Sequence, residues 1–183
     1  ERETSLLDKP LKREGELARF QEAFGQATPE GFGALKWGAT QEQVKRALPR
    51  TFCDPSRSEL ADWACSWHED VSGARVGVTL KGYTTGKAIG LATVSLSFEP
   101  DDLRRIVEAF DTVYGPPSRV EEKDYLFTRD GRRISTSAEW VWEFPDSTIN
   151  IGRHLGRFEA MAIVSRRAAQ EEFRERMEQR KVR

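Results

Sequence analysis

Two cysteines, Cys53 and Cys65, are the only thiols in the chain, and this pair constrains the fold more than any other feature of the sequence. A disulfide between them would close a loop of about a dozen residues and stabilise the folded state by about 3 kcal/mol in an oxidising compartment. The intervening residues 54–59 are loop-like, so the two ends can meet. The alternative is a pair of reduced, partly buried thiols in the cytosol. A metal site is disfavoured because the spacing is not that of a CxxC motif and only His68 lies nearby.

A short capped helix precedes this cysteine pair. Thr40 stands three positions before Gln43, the spacing of a capping box, in which both side chains accept hydrogen bonds from backbone amides at the helix start. One apolar face is formed by Val44, Ala47 and Leu48. Pro49 lacks the amide hydrogen that a continuing helix needs, so the helix must be short. We therefore predict a short helix that leads through the cysteine loop into a strand.

Alternating apolar and polar residues predict a series of half-buried antiparallel strands along the rest of the chain. The segments with this pattern are 63–67, 76–80, 92–98, 138–144, 148–153 and 158–164, and residues 120–127 are a further strand candidate that lacks it. Apolar residues at helical spacing, or a charged pattern typical of a helix, predict three further helices at residues 11–24, 100–114 and 166–183.

The order of these elements repeats along the chain. Residues 63–70 are echoed by residues 138–144, and each segment follows a helix and precedes two more strands. We therefore predict an α+β fold of two tandem helix-plus-three-strand units that form one antiparallel sheet, with helices packed on one face and additional N- and C-terminal helices. The predicted boundaries are a flexible leader at residues 1–10, a first unit at 11–99, a second unit at 100–165 and a charged C-terminal helix at 166–183.

The composition limits the classes of partner. The chain has 29 basic and 30 acidic residues and a net charge of -1, so no overall field selects a nucleic acid or an anionic membrane. In the C-terminal helix glutamates interleave with the arginines, which favours a solvated helix over a nucleic-acid-binding one. Ala169, Phe173 and Met177 fall one turn apart on this helix and form a narrow stripe that we expect to dock on the sheet or on a partner helix. No apolar run is long enough for a transmembrane helix. Because the sequence begins at Glu1 without a methionine, we expect any signal peptide or lipid anchor to lie upstream.

In the stretch from Trp37 to Val44, a glycine is followed by a capped helix that carries the pair Gln43-Val44. Further along the chain, Cys53 and Cys65 connect a loop to a strand. This pattern resembles the first unit of the beta-lactamase inhibitory protein family. With the preceding helix, it is also similar to the helix-helix-strand-strand-strand module of the SmpA/OmlA outer-membrane assembly lipoproteins. The resemblance covers residues 11–98. It implies the fold, an extracytoplasmic compartment and a function in binding other proteins, and no inhibitory residue is carried over.

The second half departs from the pattern of these families. In the inhibitor both units have a cysteine pair, whereas the second half of this chain has none. Residues 119–137 form an insertion in the repeat. The charged C-terminal helix has no counterpart in them. The resemblance therefore bears on fold and compartment more than on the target.

Four tryptophans lie on alternating positions of two predicted strands: Trp63, Trp67, Trp140 and Trp142. If their faces turn toward the helices, they form part of the core, where each buries a large area. If a sheet face is left open, they form an aromatic surface suited to an interface. We favour the core, because Cys65 shares the face of Trp63 and Trp67 and must reach back to the loop on the helix side.

The groups available for acid–base chemistry are few. His68 is next but one to Asp70, and His154 stands alone in sequence, with no motif that supplies a third group or an oxyanion donor. We therefore predict that the chain is not an enzyme and carries neither a metal nor a cofactor. A hydrolase or metal enzyme that uses His68 and His154 stays open as an alternative, as does a small-ligand binder between sheet and helices.

The predicted partner-binding surface consists of an outward sheet face and its loops. Its candidate residues are Arg75, Thr79, Lys81, Tyr83, Arg129 and Arg153. Tyr83 is expected to be an exposed aromatic residue in a hairpin loop, although a polar face of this kind is also what any solvated sheet presents. We predict a non-catalytic protein-binding module, a scaffold or an inhibitor, in the periplasm or the secreted space, with outer-membrane association as a further option. The sequence identifies neither the partner protein nor the oligomeric state.

Overall fold

An antiparallel sheet of eight strands organises the chain. The computed structural model describes residues 22–25, 27–55, 61–71, 73–127, 129–130, 133–154 and 160–181. The strands of the sheet are β3 (Phe52–Pro55), β4 (Trp63–Val71), β5 (Ala74–Tyr83), β6 (Gly90–Phe98), β7 (Arg119–Phe127), β8 (Arg133–Glu143), β9 (Ser147–His154) and β10 (Ala160–Arg166), and a hairpin of β1 (Gly31–Phe32) and β2 (Leu35–Lys36) precedes them. The described helices are α1 (Gln41–Ala47), α2 (Leu103–Tyr114), which follows a 3-10 turn at Pro100–Asp102, and α3 (Arg167–Lys181).

The strands lie in the order β3-β4-β5-β6-β10-β9-β8-β7, and each neighbouring pair is antiparallel. Strands β3 to β6 form one meander and β7 to β10 form another. The two meanders meet where β6 pairs with β10, with Phe98 opposite Ala160 and Thr93 opposite Ser165. The predicted α+β class with a large antiparallel sheet is confirmed. Each meander has four strands rather than three, because β3 pairs with β4, and β7, in the segment expected to be an insertion, pairs with β8.

One face of the sheet carries the main hydrophobic core. Fully buried aliphatic residues from the central strands share this face: Val78, Leu80, Val94, Leu96, Ile149, Ile151, Ala162 and Val164. Trp63 and Trp142 are each only 2% exposed, and Trp67 and Trp140 are partly buried against the same cluster. The interpretation of the four tryptophans as core residues is therefore confirmed.

Helices α1 and α2 pack against this core. The Thr40 hydroxyl accepts a hydrogen bond from the Gln43 amide at 3.2 Å, and Gln43 Oε1 accepts one from the Thr40 amide at 2.8 Å, so the predicted capping box is confirmed. Val44 anchors α1 and Phe110 anchors α2, since both side chains are fully buried in the core. Helix α2 ends at Gly115, whose φ of +80° lies in the left-handed region that favours glycine.

The predicted disulfide is present. Cys53 and Cys65 lie directly opposite each other on β3 and β4 and are bonded to one another. Cys65 is fully buried in the core. The bond therefore attaches the four-residue strand β3, at the edge of the sheet, to the main core.

Helix α3 begins directly after β10, with no loop between them. It runs over the face of the sheet opposite the core, where Ala169 is buried together with Tyr83, Ala88 and Ala92. The predicted charged C-terminal helix is thus present over Arg167–Lys181, Arg166 belongs to β10, and residues 182–183 lie outside the described residues. Among the described residues, no helix is long and apolar enough to cross a membrane.

Two predicted segments near the N-terminus lie wholly or mostly outside the described residues. They are the leader at residues 1–10 and the helix at residues 11–24, of which residues 22–24 are described and helical. Gly25 follows with a φ of +97°, which agrees with the predicted helix end. The glycines of Gly31-Phe32-Gly33 predict a flexible connection, whereas the structure has the hairpin of β1 and β2 at this place.

Candidate functional site

A groove of about 690 Å³ lies between α3 and the outward face of the sheet, meaning the face opposite the main core. The strand register brings side chains of β5, β6, β9 and β10 to its floor, and α3 forms its wall. The residues that line it are Ala61, Lys81, Tyr83, Thr93, Ser95, Asn150, Ile163, Ser165, Ala169, Gln170, Phe173, Arg174 and Met177. A volume in this range is typical of small-molecule sites.

Uncharged polar side chains make up much of the floor. Thr93 lies opposite Ser165 on the next strand, and Ser95 and Asn150 lie on either side of Ile163. Ser95 and Ser165 are 6% and 7% exposed, yet within the described part of the chain neither hydroxyl has a hydrogen-bond partner. No fully buried side-chain nitrogen or oxygen of the described residues lacks a partner, so these two hydroxyls reach the open space of the groove. The floor therefore presents unused hydrogen-bonding groups.

The wall is apolar and comes from α3. Ala169, Phe173 and Met177 fall one turn apart on the helix, and all three line the groove, facing Ile163 on β10. Phe173 remains 45% exposed, so part of its ring is accessible from the groove. The stripe that we expected to dock on the sheet or on a partner helix thus faces the sheet and still leaves apolar surface accessible.

The groove carries positive charge. Lys81 projects from the floor and Arg174 from the wall, and no carboxylate is among the described residues that line the groove. Neither side chain forms an ion pair or a hydrogen bond with another described residue. This local excess contrasts with a chain whose net charge is only -1.

Ion pairs hold α3 in place at the side of the groove, and we call Asp62, Thr84, Glu172 and Arg176 the α3 clasp. Arg176 donates to both carboxylate oxygens of Asp62, at 2.9 and 3.3 Å, and to Glu172 Oε1 at 2.9 Å. Asp62 also accepts hydrogen bonds from the Thr84 amide at 2.7 Å and the Thr84 hydroxyl at 3.0 Å. The hydrogen bond from Arg176, opposed in part by burial, lowers the pKa of Asp62 to about 2. The clasp is therefore ionised at any ordinary pH.

Glu172 is the buried acid of the clasp, with 7% of its surface exposed. The hydrogen bond from Arg176 lowers its pKa, and a second hydrogen bond, from the Lys87 amide at 2.9 Å, acts in the same direction. A side chain at Gly86 would collide with this carboxylate, because a Cβ there would lie 2.2 Å from Glu172 Oε2. The loop between β5 and β6 thus depends on a glycine to receive α3.

Tyr83 lies beneath the clasp. The Arg176 guanidinium carbon stands 4.6 Å from the centre of the Tyr83 ring, and the tyrosine is only 5% exposed. Burial raises the pKa of its hydroxyl. The expectation of an exposed loop tyrosine is therefore wrong, since Tyr83 is the last residue of β5 and α3 covers it. The helix docks where the sequence pattern suggested open solvent.

The other predicted partner-binding residues are spread over the sheet. Arg75 is exposed on β5, and the Thr79 hydroxyl is 3.1 Å from the Ser66 hydroxyl on β4. Arg129 is exposed in the turn between β7 and β8, and the side chain of Arg153 is outside the described residues. Among the candidates whose side chains are described, Lys81 and Tyr83 are the two that line the groove.

The alternative catalytic constellation receives no geometric support from the described residues. His68 and Asp70 are both exposed on β4, and the side chain of His154 is not described. The part of the chain that the structure describes contains no group of three His, Cys, Asp or Glu side chains placed to hold a metal ion. A non-catalytic role stays a prediction.

Apart from Lys81 and Tyr83, the residues that define the groove and the clasp were little indicated by the sequence. Ser95 and Ser165 were visible only as polar positions of alternating strands, and Arg174 as one of many arginines in a charged helix. Asp62, in the loop between the cysteines, carried no signal, because its partner Arg176 is far away in sequence. The spacing of Ala169, Phe173 and Met177 was the one pattern that pointed toward this site.

Comparison with protein-family models gives no match, and comparison with curated proteins gives none. Among solved structures, the chain is similar to the crystal structure of a DUF4309 family protein, YjgB, from Bacillus subtilis, with a TM-score of 0.46 and 11% sequence identity. The similarity covers 85% of this chain and 99% of that one. A likeness at this level supports no conclusion about the family or the function of the present chain.

Proposed function

We propose that this chain is a non-catalytic binding module of the bacterial envelope or the secreted space, a scaffold or an inhibitor that holds a segment of another protein in the groove. The observation that carries the proposal is the groove itself, because it joins an apolar wall with Phe173 still accessible to a floor of unused hydrogen-bonding groups. Aromatic anchors in partly enclosed pockets are typical of the energetic centres of interfaces. The carboxylates of the clasp, at the side of the groove, are occupied with Arg176, which suits a rigid binding site better than acid–base chemistry.

The compartment and the family resemblance belong to the same proposal. A disulfide is compatible with an extracytoplasmic location, since disulfides persist where the environment is oxidising. The pattern that resembles the beta-lactamase inhibitory protein and SmpA/OmlA families suggests the same compartment and a protein partner. The succession of α1 with β3 to β6, and of α2 with β7 to β10, supports the idea that the halves are tandem units.

Site-specific photo-crosslinking tests the proposal. A benzophenone amino acid in place of Phe173 would point into the groove, and the same amino acid in place of Gln179, exposed on the same helix outside the groove, serves as control. Irradiation in envelope fractions or culture medium of the source bacterium should give a protein adduct from position 173 and none from position 179. If position 173 gives no protein adduct that the control lacks, the proposal fails.

A matched pair of variants then links the adduct to the groove. Ile163 and Met161 lie two residues apart on β10 and share the outward face, but only Ile163 lines the groove. Once the captured protein is identified and purified, Ile163→Glu should weaken its binding by about tenfold or more, because a charge would be desolvated in an apolar contact. Met161→Glu should leave binding within about twofold. Equal effects of the two substitutions would contradict a site in the groove.

A small-ligand binder is the second candidate, and the volume of about 690 Å³ favours it, because a drug-sized molecule fills a site of that size. The same crosslinking experiment separates the two functions. A position-173 adduct with a mass increase of a few hundred daltons, in place of a protein, would support this candidate.

A further inference from the structure

The charges and hydrogen-bonding groups of the groove specify the chemistry of the segment it holds. Lys81 and Arg174 are the charged residues among those described in its lining, and neither has a partner within the described part of the chain. Two unpaired cations beside apolar surface, with no carboxylate in the described lining, attract an anion. The complementary ligand is therefore one that brings a negative charge close to an apolar group.

The polar groups of the groove floor limit which anionic ligands fit. The side chains of Thr93, Ser95, Asn150 and Ser165 form no hydrogen bond with another described residue, although the two serines are more than nine-tenths buried. An acyl chain would leave these groups unpaired at a cost in free energy, whereas the main-chain amides of a peptide would pair with them. The floor thus favours a peptide over a lipid tail.

The volume of the groove limits which part of a peptide it can bind. Cations, hydroxyls and the apolar wall of Ala169, Phe173 and Met177 all border one space of about 690 Å³. A C-terminal residue carries a carboxylate, a main-chain amide and a side chain on a single Cα, so an apolar C-terminal residue satisfies all three surfaces at once. An internal Asp or Glu can also supply a carboxylate, but the same residue then has no apolar side chain to place against the wall.

We propose that the groove captures the free C-terminus of a partner protein whose last residue is large and apolar, with the carboxylate between Lys81 and Arg174 and the side chain against the α3 wall. This inference rests on the proposed function and names the partner segment. Recognition of a terminal carboxylate is one of the established ways in which protein domains bind peptides.

A peptide array tests the inference directly. Hexapeptides tethered by their N-termini, with the last residue varied over all amino acids, are each presented with a free carboxylate and as the C-terminal amide. We expect binding to peptides that end in residues such as Leu, Ile or Phe. Amidation of the best ligand should raise the Kd by about tenfold or more, because it removes a charge-assisted hydrogen bond.

Matched substitutions assign the carboxylate to its cations. Lys81→Gln and Arg174→Gln should each weaken binding of the free-carboxylate peptide by roughly threefold to tenfold and leave the weaker binding of the amide unchanged. Arg75→Gln removes a cation from the same face of β5 outside the groove and should leave the Kd within about twofold. Because Lys81 and Arg174 have no partners among the described residues, we expect both variants to keep the thermal midpoint of the wild type.

Several outcomes would overturn the inference. Equal affinity for free acid and amide, preference for internal acidic residues, or stoichiometric competition by decanoate would each exclude capture of a peptide C-terminus. If a protein adduct still forms from position 173 in the crosslinking experiment, the proposed function survives such a result and only the C-terminal chemistry falls. Absence of both peptide binding and protein adduct would refute the two together.

Discussion

At the scale of single residues, the position of α3 depends on one guanidinium. Arg176 binds Asp62 and Glu172 and lies over the ring of Tyr83, so it joins the β5 end, the loop before β4 and its own helix. Its side chain is 19% exposed, and the carboxylate side chains of Asp62 and Glu172 are 26% and 9% exposed. Charge pairs at this depth are screened less than surface pairs, and loss of one partner leaves the others unpaired. The apolar stripe of α3 alone, with Phe173 half exposed, would hold the helix weakly.

The lowered pKa of Asp62 predicts a specific loss of stability in acid. Because the pKa of Asp62 in the folded state is about 2, below its ordinary value of 3.8, the stabilisation is fully present above about pH 4 and is lost as the pH falls toward 2. We expect the wild type to lose about 1–2 kcal/mol more than Asp62→Asn over that interval, after allowance for partial exposure. Urea unfolding of both proteins between pH 5 and pH 2 measures the difference. Parallel stability curves for the two proteins would contradict this assignment.

Gly86→Ala should cost more than the backbone conformation alone explains. Gly86 and Gly38 have nearly equal φ values, +92° and +88°, but a Cβ at Gly86 would meet the Glu172 carboxylate, whereas one at Gly38 would have only an ordinary contact at 3.8 Å. Both substitutions place an L-residue in the left-handed region at a cost of about 1–2 kcal/mol. We expect Gly86→Ala to lose about 1–2 kcal/mol more, since Glu172 must give up its hydrogen bond from the Lys87 amide. Chemical denaturation of the two variants tests this, and equal losses would argue against the contact.

At the scale of elements, the parts that follow from sequence are those with a long local pattern. The alternation in β4, β5, β6, β8, β9 and β10 and the apolar stripe of α2 predict their type and approximate bounds, because burial of one face imposes a period on the chain. Strands β1, β2 and β3 have two to four residues each, too few to show a period, and their pairing depends on neighbours distant in sequence. The docking of α3 over Tyr83 likewise depends on a tertiary contact, the ion pair of Arg176 with Asp62. These two residues are far apart in sequence, so no local pattern predicts that they meet.

Helix α3 should separate from the sheet more readily when the clasp is broken. Arg176→Ala leaves the carboxylates of Asp62 and Glu172 without their shared cation, so we expect amide hydrogen exchange in α3 to accelerate by roughly thirtyfold or more, with β5 and β10 changed less. Arg104→Ala is the control, because Arg104 also pairs with a glutamate four residues away but is 90% exposed on α2. It should leave exchange in α3 unchanged. Unaltered protection of α3 in Arg176→Ala would show that the apolar contacts suffice.

At the scale of the whole molecule, the sheet has one face buried by α1 and α2 and the other only partly covered by α3. The sequence predicted the class of fold, the buried face and the covalent link between β3 and β4. It did not predict the groove, because a cavity depends on where two distant surfaces fail to fill the space between them. The polar residues of β6 and β10, such as Ser95 and Ser165, read from sequence as solvent-facing and acquire meaning only beneath α3.

The disulfide should contribute to the stability of the whole chain. Reduction, or the double variant Cys53→Ala with Cys65→Ala, removes a link that spans 12 positions of sequence, and we expect a loss of about 3 kcal/mol in the free energy of unfolding. Urea denaturation with and without reductant measures this loss. As a control for oxidation, the denatured protein should take up iodoacetamide only after reduction. A loss near zero on reduction would indicate that β3 is held by its other contacts.

The strand order also has a consequence for the time course of folding. Strands β3 to β6 and β7 to β10 each pair with the next strand along the chain, so each meander can form from contacts between near neighbours. The central pair, β6 with β10, cannot form until the last strand is available, and the chain that must be closed between them contains α2 and three strands. We therefore expect joining of the two halves to be the slow step. Helix α3 follows β10 directly, so the groove comes into existence only after that step.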